Sequence, residues 1–454
     1  MFTRLAIGLI LVNLILVSPV VASESLKLRV AAFEVDASPP IGSPLAYDPT
    51  TAVESPLSLR GLVLMGKGRP IVLVTIDWIG LSNGCYSSFR QSLAEAAGTT
   101  VERVAVHTLH QHDAPRCDFT TDALLANYGI NQQFSDTVFA RGVELRATAA
   151  LRQSLKQAQP VSHLGLGQAA VDMVASNRRI LGPDGKVEQM RFTACKDPEI
   201  RAKPTGVIDP ALKMVSLWNR DRPLVVLTFY ATHPQSYYRT GEANPDFPGM
   251  ARNQRQDATN TVHIHFTGAA GNIGAGKWND GSTENRQVLA DRVASAMATA
   301  WKRTEKNPLG PEDLSWKVVK VRLPIASHLN EKKLLAILED SSAPLTDRFS
   351  AAGDLVWLRR VQAGDETEIS CLGLGNARIL QMPGELFVEY QLAAQRMRPD
   401  LFVAMAAYGE YGVGYIGTEI AYSQGGYETG PTASAVAPEV EGVLMAAMKQ
   451  ILND

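Results

Sequence analysis

Two apolar runs in this chain empty directly onto histidines, and that restricts the folds open to it. In "DRPLVVLTFYATHP" the run Leu224 to Tyr230 reads as a buried strand that enters a loop at His233-Pro234. In "VERVAVHTLHQHDAP" a strand-like run from Val101 carries His107, His110 and His112 and ends in Asp113-Ala-Pro. Strands that are apolar throughout must be covered on both faces, so helices or a second sheet have to pack over them. Ligand sites in open α/β sheets lie where such strands end.

The remaining punctuation agrees with a mixed α/β chain. "LRGLVLMGKGRPIVLVTIDWIGL" reads as two strands in a hairpin through Gly66-Lys67-Gly68. Helices are expected over 86–97, 136–157, 283–304 and 438–452, with another in "GELFVEYQLAAQRM" opened by Pro383-Gly384. The elements alternate irregularly, which predicts a mixed, multi-layer α/β (α+β) fold forming a single large catalytic domain over 23–454. The 454 residues are 45% hydrophobic and 20% charged, with a formal net charge of -2. That balance suits a globular domain and lacks the basic excess that nucleic-acid binding requires.

The first residues are of another kind. "MFTRLAIGLILVNLILVSPVVAS" places Arg4 ahead of an apolar run from Leu5 to Val17, then small residues up to Ala22. This reads as a signal peptide, 1–22, and predicts a secreted or periplasmic protein; an uncleaved anchor is the alternative. Cys85, Cys117, Cys195 and Cys371 form no C-x-x-C unit, so the expectation is one disulfide or none.

"GNIGAGKW", Gly271 to Trp278, nearly spells a phosphate-binding loop. The residue after Lys277 is Trp278, however, where a magnesium-binding hydroxyl is required. Asn279-Asp280-Gly281 then signals a turn, not a helix. The glycines are better read as letting the backbone approach a nearby pocket, with Asn272, Gly274 and Lys277 as candidate substrate contacts.

His110 and His112, two apart on extended chain, are able to face one site. Two imidazoles and a carboxylate are a common zinc set that leaves a position open for water. His263 and His265 alternate inside "TVHIHF" with no acid at hand and read as structural. Glu385, in "LQMPGELF", is expected in the first turn of a helix, where free N–H groups favour an anion. Tyr408, Tyr411, Tyr415, Tyr422 and Tyr427 crowd one Gly-rich segment, which reads as a binding rim.

Five segments in order, "HQHDAP", "ATHP", "GNIGAGKWND", "MPGELF" and "AYGEYGVGYIGTEIAYSQGGYE", resemble the neutral ceramidase family. So does the opening "VDASPPIG", and the resemblance runs from about Val30 to Glu428. It implies one zinc ion per chain, held by His110, His233, Glu385 and Tyr415. It further implies that His112 and Tyr427 act on the scissile amide and that Arg178 lines the pocket. The implied activity is hydrolysis of an N-acyl amide, ceramide or a related lipid or small-molecule amide, by a zinc-activated water. Peripheral membrane contact would give access to a lipid substrate. Two features depart from the family. Gly274 stands where the family carries a serine, and no segment follows Tyr427 that is long enough for the family's immunoglobulin-like domain. They leave open an esterase or amidase with a non-ceramide substrate, or a metal-binding protein without catalysis.

Overall fold

The computed structural model describes residues 27–453, so the expected signal peptide, 1–22, lies outside the described residues. Three sheets form the frame. In the first, strands Arg29–Asp36, Ser58–Met65 and Ile71–Ile76 run antiparallel, and Ile71–Ile76 pairs in parallel with the edge strand Val104–Thr108. In the second, His163–Ala170, Ala211–Asn219 and Arg222–Tyr230 are antiparallel, and Arg222–Tyr230 pairs in parallel with Val262–Thr267. In the third, Leu314–Val321, Thr367–Leu374 and Ala377–Gln381 are antiparallel, and Ala377–Gln381 pairs in parallel with Phe402–Ala406. The mixed α/β architecture expected from the sequence is the one observed.

The three sheets share one apolar core, in which Leu62 and Leu73 meet Val215 and Val225 and, from the third sheet, Leu372 and Ile379. Each sheet also has a second covered face, as strands without polar alternation demand. Helices Asn83–Ala97 and Thr137–Leu155 close the first sheet, burying Phe89, Leu93, Val143 and Leu151. Helices Thr283–Lys302, Val388–Met397 and Val440–Asn453 join the core against the other two. Local signals place their ends. Asp136 caps the helix at Thr137 by accepting from the Phe139 amide, and Gly98, at φ 67°, closes the Asn83 helix with its N–H on Ala94 and Glu95 carbonyls.

The parallel edges converge, and this is what positions a site. The Thr108 N–H donates to the Tyr408 carbonyl, the Ala407 N–H to the Thr267 carbonyl, and the Thr267 hydroxyl to the Leu109 carbonyl. The carboxyl ends of edge strands from all three sheets therefore meet at one point. His107 belongs to this joint rather than to the site: it is buried, with Nδ1 2.7 Å from the Ala407 carbonyl, and desolvation pushes its pKa down to about 4.

One sequence expectation fails here. Glu385 is not in a helical first turn; Glu385–Leu386 is a two-residue strand, and the helix begins only at Val388. Gly384 takes φ 57°, and the Glu385 N–H donates to the Gly414 carbonyl, so the chain is captured by the segment Tyr415–Ile416 before it can coil.

Candidate metal centre

His110 follows strand Val104–Thr108 in a left-handed conformation, φ 72°, which costs a non-glycine residue about 1–2 kcal/mol. Three bonds hold it there. The Leu109 and His110 N–H groups donate to the Ile76 and Trp78 carbonyls, and His110 Nδ1 lies 2.7 Å from the Ile79 carbonyl. His233, after Arg222–Tyr230, has Nδ1 3.1 Å from the Ala270 carbonyl. A neutral imidazole that donates from Nδ1 presents a bare lone pair at Nε2.

Those two Nε2 atoms lie 3.1 Å apart, and Glu385 Oε2 lies 3.3 Å from one and 3.4 Å from the other. Oε2 is buried and has no hydrogen-bond donor, while Oε1 accepts from the Tyr411 hydroxyl at 2.8 Å. Three Lewis-basic atoms thus face one another with no proton to share. A cation resolves this arrangement. Zinc bonded to nitrogen at about 2.0–2.1 Å in a tetrahedron separates its ligands by roughly 3.3–3.4 Å, close to the spacing seen. The residues present fit the metal, and the backbone carbonyls behind each imidazole supply the outer contacts that orient metal-binding histidines.

His112 is grouped with His110 and His233 by proximity, since ring nitrogens of all three lie within 4.8 Å of one another. Its hydrogen bonds assign it differently. Nδ1 lies 3.0 Å from Gln235 Nε2 and 3.0 Å from the Tyr47 hydroxyl. An amide N–H only donates, so Nδ1 accepts and the ring proton sits on Nε2, which is buried and unpartnered. His112 is therefore a hydrogen-bond donor facing the cluster, and Glu385 is the better third ligand. Burial, then His110, Arg178 and Arg116, hold the His112 pKa well below its usual value and keep the ring neutral.

The other expected residues fall in two groups. Tyr415, Tyr427 and Arg178 come together with Glu385. Glu385 and Tyr415 pair across the short parallel strands, and the Tyr415 ring lies parallel to that of His233 at 6.3 Å. Arg178 donates to the Tyr415 hydroxyl at 3.2 Å, and its Nε lies 3.3 Å from Glu428 Oε1. Burial works against the Arg178 charge, but Tyr415 and Glu428 outweigh it and raise its pKa. Tyr427 is exposed at the rim, its ring 5.6 Å from that of Tyr415 and edge-on to it. A cavity of about 240 Å³ is lined by Glu385, Tyr411, Tyr415 and Tyr427.

Asn272 and Lys277 are engaged elsewhere. The Asn272 amide accepts from the Val388 N–H at 2.9 Å and donates to Glu389 at 2.9 Å, fastening the start of a helix. The Lys277 ammonium donates to the Arg201 and Lys203 carbonyls, each at 2.6 Å. Both side chains, expected as substrate contacts, thus have structural partners within the fold. Gly274 pairs with Ser176, and a Cβ there would lie 3.5 Å from Arg178 carbons, an ordinary contact. The glycines that the fold requires are Gly271 and Gly276, where a Cβ would fall 2.2 Å from the Glu385 carbonyl oxygen and 2.1 Å from that of Phe192.

Three residues near the candidate metal ligands were not singled out by sequence. Tyr411 belongs to the tyrosine-rich segment, which marked the rim but not the member that touches Glu385. Tyr47 and Gln235 carry no local signal, since their tie to His112 is made only by the fold. The four cysteines are buried free thiols.

The fold and the pocket together define a mixed α/β protein with a buried site of two histidines and a glutamate. Among solved structures it is similar to neutral ceramidase from Pseudomonas aeruginosa, at TM-score 0.68 and 16% identity, covering 95% of this chain and 74% of that one. It is likewise similar to a ceramidase complexed with C2, at TM-score 0.67 and 16% identity, covering 94% and 75%. The chain therefore has the ceramidase fold. No family model matches it, and no curated protein does.

Proposed function

We propose that this chain is an exported, zinc-dependent hydrolase of a linear amide bond, acting on an N-acyl amide such as ceramide or a related lipid amide. The observation that carries the reading is the facing of His110 Nε2, His233 Nε2 and Glu385 Oε2 at 3.1–3.4 Å with no donor among them. The ceramidase fold supports it, and so does the order of the five sequence segments.

In this reading His110, His233 and Glu385 hold one zinc ion, with Tyr415 as the fourth protein ligand. Bound zinc supplies Lewis acidity, bringing the pKa of a water to about 7. The protein's own groups do the rest. His112 donates from Nε2 to the amide oxygen as negative charge builds there, a contact worth about 3–4 kcal/mol in acyl transfer. Tyr427, at the rim, is in this reading the second hydrogen-bond donor to that oxygen. Arg178 fixes the Tyr415 hydroxyl and is itself fixed by Glu428, so it is a positioning residue.

The test is elemental analysis of the purified protein combined with a panel of N-acyl substrates, repeated for His110→Ala and Glu385→Ala. One zinc per chain is expected, with its loss and the loss of turnover in both variants. A protein without zinc whose variants match wild type would end this reading. The glycine at 274, where the family carries a serine, favours a second reading, a metal-binding protein without catalysis. Zinc retained while no amide or ester is cleaved would select it.

A further inference from the structure

The cavity that contains Glu385 and Tyr411 has a second wall formed by Arg116. Its backbone is fixed, since Arg116–Cys117 pairs in parallel with Gly80–Leu81 and the Ile79 N–H donates to the Pro115 carbonyl. The guanidinium, by contrast, is uncommitted. Among the described residues it makes no ion pair within 4.0 Å and no hydrogen bond; it lies 5.1 Å from the Phe134 ring, with Tyr47, Tyr411 and Asp122 also nearby. Two of the nearby acids are engaged with other groups, and Asp354, which lines the same pocket, makes no ion pair with Arg116. Asp118 accepts from Asn83, Thr120 and Thr121, and Asp122 from Ser135. Arg178, by contrast, lies against Glu428, its Nε 3.3 Å from the Glu428 carboxylate. A half-buried guanidinium with five free donors is matched to a carboxylate or phosphate, which it binds through two parallel bonds.

We propose that Arg116 recognises an anionic group of the substrate, so that the pocket takes an amide with a carboxylate close to the scissile bond, as in an N-acylated amino acid. This rests on the hydrolase reading for the amide and on Arg116 alone for the charge. Cleavage would break the acyl C–N bond of such a substrate. The oxygen of water joins the acyl carbon, its proton passes to nitrogen, and a fatty acid and a free amino acid leave.

The experiment compares N-decanoylglycine with N-decanoylethanolamine, an uncharged amide of the same acyl chain, on the zinc-containing protein and on Arg116→Gln, Arg116→Ala and Arg116→Lys. The acid should be preferred in kcat/KM by about 10- to 100-fold, the range of a hydrogen bond to a charged group. Arg116→Gln and Arg116→Ala should erase that preference while leaving the uncharged amide within about threefold of wild type, and Arg116→Lys should keep part of it. Equal rates for the two amides in wild type, or equal losses on both in the variants, would overturn the proposal. Calorimetric binding of N-decanoylglycine separates the two readings. Binding that needs Arg116, without cleavage, keeps the anion site and removes the hydrolase. Binding that survives in every Arg116 variant places the carboxylate elsewhere, and absent binding and cleavage together overturn the site.

Discussion

Glu385 and Tyr415 are cross-strand partners in a parallel pairing only two residues long, so one backbone register fixes a carboxylate beside a phenol. The pairing is held from outside. The Glu385 N–H donates to the Gly414 carbonyl, the Tyr415 N–H to the Ala433 carbonyl, and Tyr411 bonds to Glu385 Oε1 from the intervening turn. The carboxylate thus has one oxygen anchored and one free, which is the division a monodentate ligand needs.

Tyr411→Phe tests that division. The ring stays and the 2.8 Å bond to Oε1 is lost, freeing the carboxylate to rotate. Loss of such an outer contact lowers metal affinity by about 10- to 100-fold. Zinc competition against a chelator should show this weakening, and an unchanged affinity would mean that packing alone orients Glu385.

Tyr47→Phe addresses the proton on His112. The variant keeps the ring stacked on the imidazole and removes one of the two donors to Nδ1. Gln235 still holds the tautomer, so turnover should fall by about three- to tenfold, the worth of one neutral hydrogen bond. In Tyr47→Phe/Gln235→Leu both donors are gone and the tautomer is free, and the loss should exceed the product of the single losses. Zinc content should be unchanged throughout, because His112 is not a ligand in this reading.

A buried ion pair lies beneath the site. Arg252 binds both oxygens of Asp77, at 2.6 and 2.9 Å, and both residues are fully buried. Burial opposes ionisation of Asp77, but Arg252 overcomes it and holds the carboxyl below its ordinary pKa. The Asp77 carbonyl accepts from the Gln111 side chain, and the neighbouring Trp78 carbonyl from the His110 N–H. Arg252→Ala leaves Asp77 buried without its ion-pair partner, held only by the Ser58 N–H and hydroxyl, and should cost about 3–5 kcal/mol in denaturant unfolding.

Much of this was legible in the chain. The apolar runs ending at His110 and His233 announced buried strands, and their carboxyl ends are where the site lies. Burial in these strands is set locally, by residue type, so sequence carries it. Glu385 was misread as helical because "GELFVEYQ" has good helix formers. Propensity differs by well under about 1 kcal/mol per residue, and the pairing with Tyr415, thirty residues on in the chain, outweighs it. The structural partners of Asn272 and Lys277 were hidden for a related reason, since they lie far away in sequence. Arg116 carried no motif at all; its meaning is the absence of a partner, which only the fold reveals.

Asp354 shares the pocket with Arg116 and offers a test through pH. Burial raises its pKa from 3.8 to about 6, with no charged partner contributing. The folded state therefore holds this proton more tightly than the unfolded state. The stability it contributes is fully present below about pH 3.8 and is lost as pH rises through about 6. A gap of this size corresponds to roughly 2–3 kcal/mol at most, and less where water reaches the carboxylate. Asp354→Asn removes the titration, so it should be more stable than wild type at pH 8 by about 1–2 kcal/mol, with the difference shrinking towards pH 4. Denaturant unfolding of both proteins across that range measures it. A constant difference at every pH would show that the asparagine acts by packing, and a loss of stability at pH 8 would mean that the ionised carboxylate has a partner in solution.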